Sequence, residues 1–109
     1  MKLARVILFT AQMEAMSDFY GKVLGLEQVM SEKGWRVFAA GSTHIAFHSG
    51  PSSPGRKGPK IVFHAKDVAA ARKKLMARGA KFGEVRDAGT FCLCDGKDPD
   101  GNPFQLSSH

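Results

Sequence analysis

The chain has 109 residues, 43% of them hydrophobic, and its 16 Lys and Arg outnumber its 10 Asp and Glu to give a formal charge of +6. This length supports one domain with a core of its own, hiding about two thirds of the surface the unfolded chain would expose, and excludes two. No run of about 20 apolar residues occurs, and Met1-Lys2-Leu3-Ala4-Arg5 leads straight into a strand pattern. Neither a membrane span nor a secretory leader is therefore expected, and the protein is assigned to the cytoplasm.

In chain order, Leu3 to Phe9 alternates as a strand, and Met13 to Leu24 carries Met13, Met16, Phe19, Tyr20 and Val23 at the spacing of a sheet-facing helical stripe. Strands follow at Glu27 to Ser31, Trp35 to Ala40 and Thr43 to His48, with Gly34 and Gly41 marking turns. Residues 49 to 59 hold three prolines and three glycines, a composition that continues neither helix nor sheet, and form a linker. The order then recurs: strand Lys60 to Ala65, helix Val68 to Arg78, and strands Lys81 to Val85, Thr90 to Asp95 and Asn102 to Ser107. Asp98-Pro99-Asp100-Gly101-Asn102 supplies the last hairpin turn.

The recurrence is an internal repeat. Residues 5–20, RVILFTAQMEAMSDFY, and 60–75, KIVFHAKDVAAARKKL, align without a gap at an offset of 55. Each copy opens on a cation (Arg5, Lys60), runs through a strand, passes a turn or acidic position (Gln12, Asp67) and enters a helix that ends near a glycine (Gly25, Gly79). Unit one is thus residues 1–48, the linker 49–59 and unit two 60–109 of a single α+β domain, each unit being βαβββ.

Cys92 and Cys94 lie two apart on a strand, so both point to one face and an ordinary disulfide between them is hindered. Free thiols in small apolar positions are expected, with a redox pair or a nucleophile beside His64 as the alternatives. The excess positive charge gathers at Lys57, Lys60, Arg72, Lys73, Lys74 and Arg78. No zinc-finger spacing, RNA-recognition strand or basic heptad accompanies it, so nucleic acid is not an expected partner. Trp35 opens a strand and could be a pocket wall or a subunit contact. His109, at the terminus, is expected to be disordered.

The duplicated βαβββ unit, Asp18-Phe19-Tyr20 followed by Gly25-Leu26, Asp67-Val68 at the second helix, and the closing Asp98-Pro99-Asp100-Gly101-Asn102-Pro103-Phe104-Gln105-Leu106 together resemble the vicinal oxygen chelate superfamily. That group includes glyoxalase I, bleomycin-resistance proteins and extradiol dioxygenases. The resemblance covers essentially the whole chain. It implies two units paired into an incompletely closed sheet around a cleft, often completed by a homodimer. In metal-dependent members, ligands occupy the opening residue of the first strand and a residue of the last strand in each unit, positions that fall here on Arg5, Ala46, Lys60 and Gln105. Two cations and a methyl group do not ligate a divalent metal, so no metal and no cofactor are expected.

Strand alternation places Arg5, Ile7 and Phe9, and Lys60, Val62 and His64, on the faces away from the helices, together with His44, Ala46, His48, Gln105 and Ser107. No acidic side chain is assigned to these faces, so Arg5 and Lys60 imply an anionic ligand. The candidate ligand-binding residues are Arg5, Phe9, His48, Lys60, His64 and Gln105. His48 and His64 are also candidate general bases. The leading expectation is metal-independent binding of a small anionic or aromatic molecule. The alternatives are an enzyme using His48 or His64 as base or a displaced metal site built from these histidines, with or without a cysteine, and a dimeric accessory module.

Overall fold

The structure is a computed structural model that describes residues 1, 3–53 and 59–109. The chain divides into two compact units, Met1–Ser53 and a second unit running to His109. Each is built on an open four-stranded sheet.

In the first unit β1 (Arg5–Thr10), α1 (Met13–Asp18), β2 (Gln28–Glu32), β3 (Trp35–Ala40) and β4 (Thr43–Ser49) form a sheet of order β1-β4-β3-β2. β1 runs parallel to β4, pairing Ile7 with Ala46 and Phe9 with His48, and the other pairings are antiparallel. In the second unit β5 (Ile61–His64), α2 (Val68–Ala77), β6 (Arg86–Asp87), β7 (Cys92–Lys97) and β8 (Pro103–Ser107) repeat that order as β5-β8-β7-β6. The register repeats too: Val62 pairs with Gln105 as Ile7 pairs with Ala46.

Helix and sheet bury their apolar faces against each other. In the first unit Met16, Phe19 and Tyr20 meet Phe38, Ile45 and Phe47, with Tyr20 and Phe47 ring centroids 5.0 Å apart. Full burial of each such aromatic contributes roughly 1.5–3 kcal/mol. In the second, Val68, Cys94 and Leu106 form the centre, and Phe63, Leu75 and Phe82 pack around them. Asp67 caps α2, its Oδ1 accepting from Ala70 N at 2.9 Å, worth about 1 kcal/mol.

The structure departs from the sequence reading in several places. The first helix does not run to Leu24 as one α-helix: after Asp18 the chain widens into a π-helical turn, Phe19–Val23, closed by Leu24 N donating to Phe19 O at 2.8 Å. The wider turn seats the adjacent Phe19 and Tyr20 in the core together, and Gly21 lets it approach the sheet, since a Cβ there would lie 3.1 Å from Phe38 Cε1. Residues Lys81 to Val85 are not a strand. Phe82 makes an isolated bridge to Gly96, Gly83 N donates to Asp95 O and Gly83 O accepts from Arg72 Nε, so Gly83 is bonded on both sides outside any ladder. Of residues 81–87, only Arg86–Asp87 forms a ladder with β7. Ser49 belongs to β4 rather than to the linker, and Gly50 N donates to Thr10 O. Lys57 and residues 54–58 of the linker lie outside the described residues.

His109 is held rather than disordered. Its ring lies 4.9 Å from that of Phe91, and its N–H donates to Ser107 Oγ. The Asp98 turn is a hairpin connection, as expected, but its carboxylate is the structural centre. Asp98 is buried, Oδ1 accepts from Asp100 N and Asn102 N, and Oδ2 accepts from Asn102 Nδ2 at 2.8 Å.

Candidate functional site

Alternation along β1 leaves Arg5, Ile7 and Phe9 exposed while Val6 and Leu8 turn toward the helix side. This open face of the first sheet is aromatic. Phe9 and His48 are cross-strand partners with ring centroids 5.4 Å apart, and Trp35, the partner of His48 on the other side, lies 6.0 Å from it. Phe9 is 54% exposed and Ile7 44%. The Arg5 guanidinium reaches along the face to within 6.0 Å of the Trp35 ring centroid, a cation–π approach. Trp35 is thereby a wall of this face, and it was not among the residues singled out as ligand-binding.

His48 has a defined orientation. Its Nδ1 lies 2.8 Å from Ser49 O, and because a carbonyl oxygen only accepts, Nδ1 carries the hydrogen. In the neutral ring Nε2 then keeps its lone pair, the arrangement a base or a hydrogen-bond acceptor needs.

In the second unit, Lys60, His64 and Gln105 fall on the open face, but the expectation that no acidic group shares it is overturned. Asp95, on β7 opposite Gln105, accepts on Oδ1 from Lys60 Nζ at 2.9 Å and from Gln105 Nε2 at 2.8 Å, and on Oδ2 from Arg86 at 2.5 Å. Partial burial pushes the Asp95 carboxyl up, but hydrogen bonds from Gln105 and Lys60 and the charges of Lys60 and Arg86 outweigh it and hold the group below the usual carboxylate range. The ionised form of Asp95 is thus favoured, and it serves as counter-ion to Lys60 and Arg86. Sequence reasoning missed it because the strand was placed at Thr90 to Asp95 and the residue was read as its end. With the strand at Cys92–Lys97, Asp95 sits mid-strand and points with Gln105.

His64 is exposed and pairs in register with Ser107. Its neighbour Phe63 packs into the helix-side core with Cys92 and Cys94, so His64 and the two cysteines are on opposite faces. This removes the cysteine–histidine nucleophile and the displaced metal site that would have used a cysteine. Both thiols are free, and burial pushes that of Cys94 up, with Asp95 adding to the effect and nearby Arg72 opposing it.

The four positions aligned with metal ligands do not fit a divalent ion. Ala46 offers a methyl group, Lys60 is ion-paired, Gln105 is engaged with Asp95, and no three His, Cys, Asp or Glu side chains converge among the described residues.

A model of the Glyoxalase/Bleomycin resistance protein/Dioxygenase superfamily matches residues 2–106. The chain belongs to this superfamily. Among curated proteins, none shows significant sequence similarity to it. Solved structures share the fold at low identity. Lactoylglutathione lyase from Agrobacterium tumefaciens superposes with a TM-score of 0.79 at 18% identity, covering 97% of this chain and 92% of that one. TnmS3, an antibiotic binding protein from Streptomyces sp. CB03234, gives 0.83 at 21% identity over 97% and 93% of the two chains. A glyoxalase/bleomycin resistance protein/dioxygenase from Nocardioides gives 0.82 at 17% identity over 98% and 82%. One fold is thus shared by a lyase and an antibiotic binding protein, and the side chains must decide between such roles. No helix of the described residues is long and apolar enough to cross a membrane.

Proposed function

We propose that this superfamily member binds a small anionic or aromatic molecule without a metal. The observation that carries the reading is the exposed aromatic face of the first sheet, where Phe9, His48 and Trp35 adjoin one another and Arg5 lies beside them. Exposed aromatic and aliphatic side chains on a strand with a well-filled opposite face contribute little to the fold, so they fit a surface kept apolar for contact. The residues at the metal-ligand positions support the metal-free part, and the likeness in fold to an antibiotic binding protein is consistent with binding.

Elemental analysis joined to native mass spectrometry of protein purified without an affinity tag tests this directly. A metal-free species that retains, or takes up, one small molecule is the expected result. Stoichiometric zinc, nickel, iron or manganese overturns it.

One observation favours a second reading, a metal-independent enzyme. His48 is oriented by Ser49 O with Nε2 left to accept a proton, as a general base requires. In that case His48→Ala abolishes turnover and leaves affinity for the bound molecule within a few fold. In the binding reading it weakens affinity instead, through the lost ring contacts with Phe9 and Trp35.

A further inference from the structure

The duplication supplies an internal comparison that the individual residues do not. Arg5 and Lys60 are equivalent by the sequence offset, and Ala46 and Gln105 by register, since they pair with Ile7 and Val62 respectively. On the next strand Val37 pairs with Ala46 as Asp95 pairs with Gln105. The same three positions are therefore Arg5, Ala46 and Val37 in one unit and Lys60, Gln105 and Asp95 in the other.

In the second unit the cation is neutralised from within, Lys60 by Asp95, with Gln105 bonding the same carboxylate oxygen. In the first unit a valine and an alanine stand where the carboxylate and the amide would be. Arg5 forms no ion pair among the described residues, whereas Arg36 pairs with Glu14 and Arg86 with Asp95. Two acidic positions border the Arg5 face, Glu27, whose carbonyl accepts from Ala39 N, and Glu32, across from Trp35 on β2, and among the described residues neither forms an ion pair with Arg5. What Arg5 touches is the Trp35 ring.

An arginine without a carboxylate, set on an apolar and aromatic surface, has a defined complement. Resting on the binding reading above, we propose that the open face of the first sheet takes a planar aromatic monoanion, its carboxylate on Arg5 and its ring against Phe9, His48 and Trp35. Guanidinium matches a carboxylate bidentately, and the tilted rings, at 51° between Phe9 and His48 and 72° between Trp35 and His48, present both edges and faces to a further aromatic ring. In the second unit both cations of the cluster, Lys60 and Arg86, are already held by Asp95, so neither is open to a carboxylate as Arg5 is.

The test is calorimetric titration of the full chain with 2-naphthoate, with its uncharged amide and with cyclohexanecarboxylate. Naphthoate is expected to bind at one site, at least tenfold tighter than either of the others. Arg5→Gln and Phe9→Ala are each expected to weaken it at least tenfold with the far-ultraviolet spectrum and melting temperature kept, while Lys74→Gln, which removes an exposed charge from α2 in the other unit, leaves it within twofold. Equal affinity for naphthoate and the amide, or no effect of Arg5→Gln, overturns the anion part and leaves the binding reading standing. Equal affinity for cyclohexanecarboxylate overturns the aromatic part. If none of the three binds, the proposal fails, and the broader reading is judged separately by whether native mass spectrometry finds a retained molecule.

Discussion

Lys60 and Asp95 form an ion pair across the central strand of the second sheet, Nζ to Oδ1 at 2.9 Å, with the two side chains 40% and 41% exposed. A pair so open to water adds little to stability but sets the charge of its surroundings. Asp95 cancels one of the two positive charges beside it and leaves the cluster with Arg86 at a net single charge.

Asp95→Asn should therefore cost less than about 1 kcal/mol at neutral pH. Its effect should appear in acid. The Asp95 carboxyl titrates lower in the folded state than in the unfolded chain, so the unfolded state binds more protons in the window between them. The contribution is complete above the unfolded carboxyl value and is lost as pH falls through the lowered folded value. Urea unfolding from pH 6 down to pH 2 should show the wild-type advantage over Asp95→Asn shrinking only below about pH 4. An advantage that persists unchanged to pH 2 contradicts the assignment.

Gly96→Ala should destabilise by about 1–3 kcal/mol, measured by denaturant unfolding. A Cβ on Gly96 would stand 2.9 Å from Phe104 Cζ and 3.1 Å from the backbone oxygen of Lys81. Phe104 is fully buried beneath Phe82 and Phe63 and has nowhere to retreat. Gly41→Ala meets no atom within 4 Å, yet its φ of 66° strains any side chain, so it should cost about 1 kcal/mol through backbone conformation alone.

Replacing Asp98 by Ala removes the acceptor of three hydrogen bonds within the β7–β8 turn and leaves Asp100 N, Asn102 N and Asn102 Nδ2 to find other partners. Because Asp98 is buried, the loss should reach about 2–4 kcal/mol, and hydrogen exchange at Lys97 and Pro103's strand neighbours should accelerate. An unchanged exchange pattern would show that the turn stands without the carboxylate.

Trp35 is the protein's single tryptophan, so its emission reports one place. With the Arg5 guanidinium 6.0 Å from its ring, iodide should quench it more strongly than caesium at equal ionic strength, and Arg5→Gln should remove most of that difference. Equal quenching by the two ions in the wild type would place the charge elsewhere.

Much of this fold is legible in the residues because the repeat states it twice. Trp35 to Ala40 is found as a strand at the bounds the alternation gives, and both sheets share one strand order. The failures have physical causes. Lys81 to Val85 alternates like a strand, but Gly83 at its centre bonds to a helix-borne arginine and to a single strand carbonyl, tertiary partners that no local pattern encodes. The π-helical turn escapes for a similar reason, since Met16, Phe19, Tyr20 and Val23 suit α-helical spacing equally well and the packing of Gly21 on Phe38 decides. The open faces follow from alternation once the register is known. Which cation is neutralised does not, because a shift of two residues in the predicted end of β7 hides Asp95.

The π-helical turn also bears on how this chain tolerates changes of length. It holds one residue more than an α-helical turn would, and Lys22 within it points to solvent, paired with Asp18 one turn earlier at 3.1 Å. A one-residue deletion here has somewhere to go. The segment can relax to ordinary helix, at the expense of rotating Leu24 and Leu26 by about 100° about its axis and withdrawing one of the two adjacent aromatics from the sheet. The place in the first unit where a helix is most open to gaining or losing a residue is therefore also the place where its core is most finely registered.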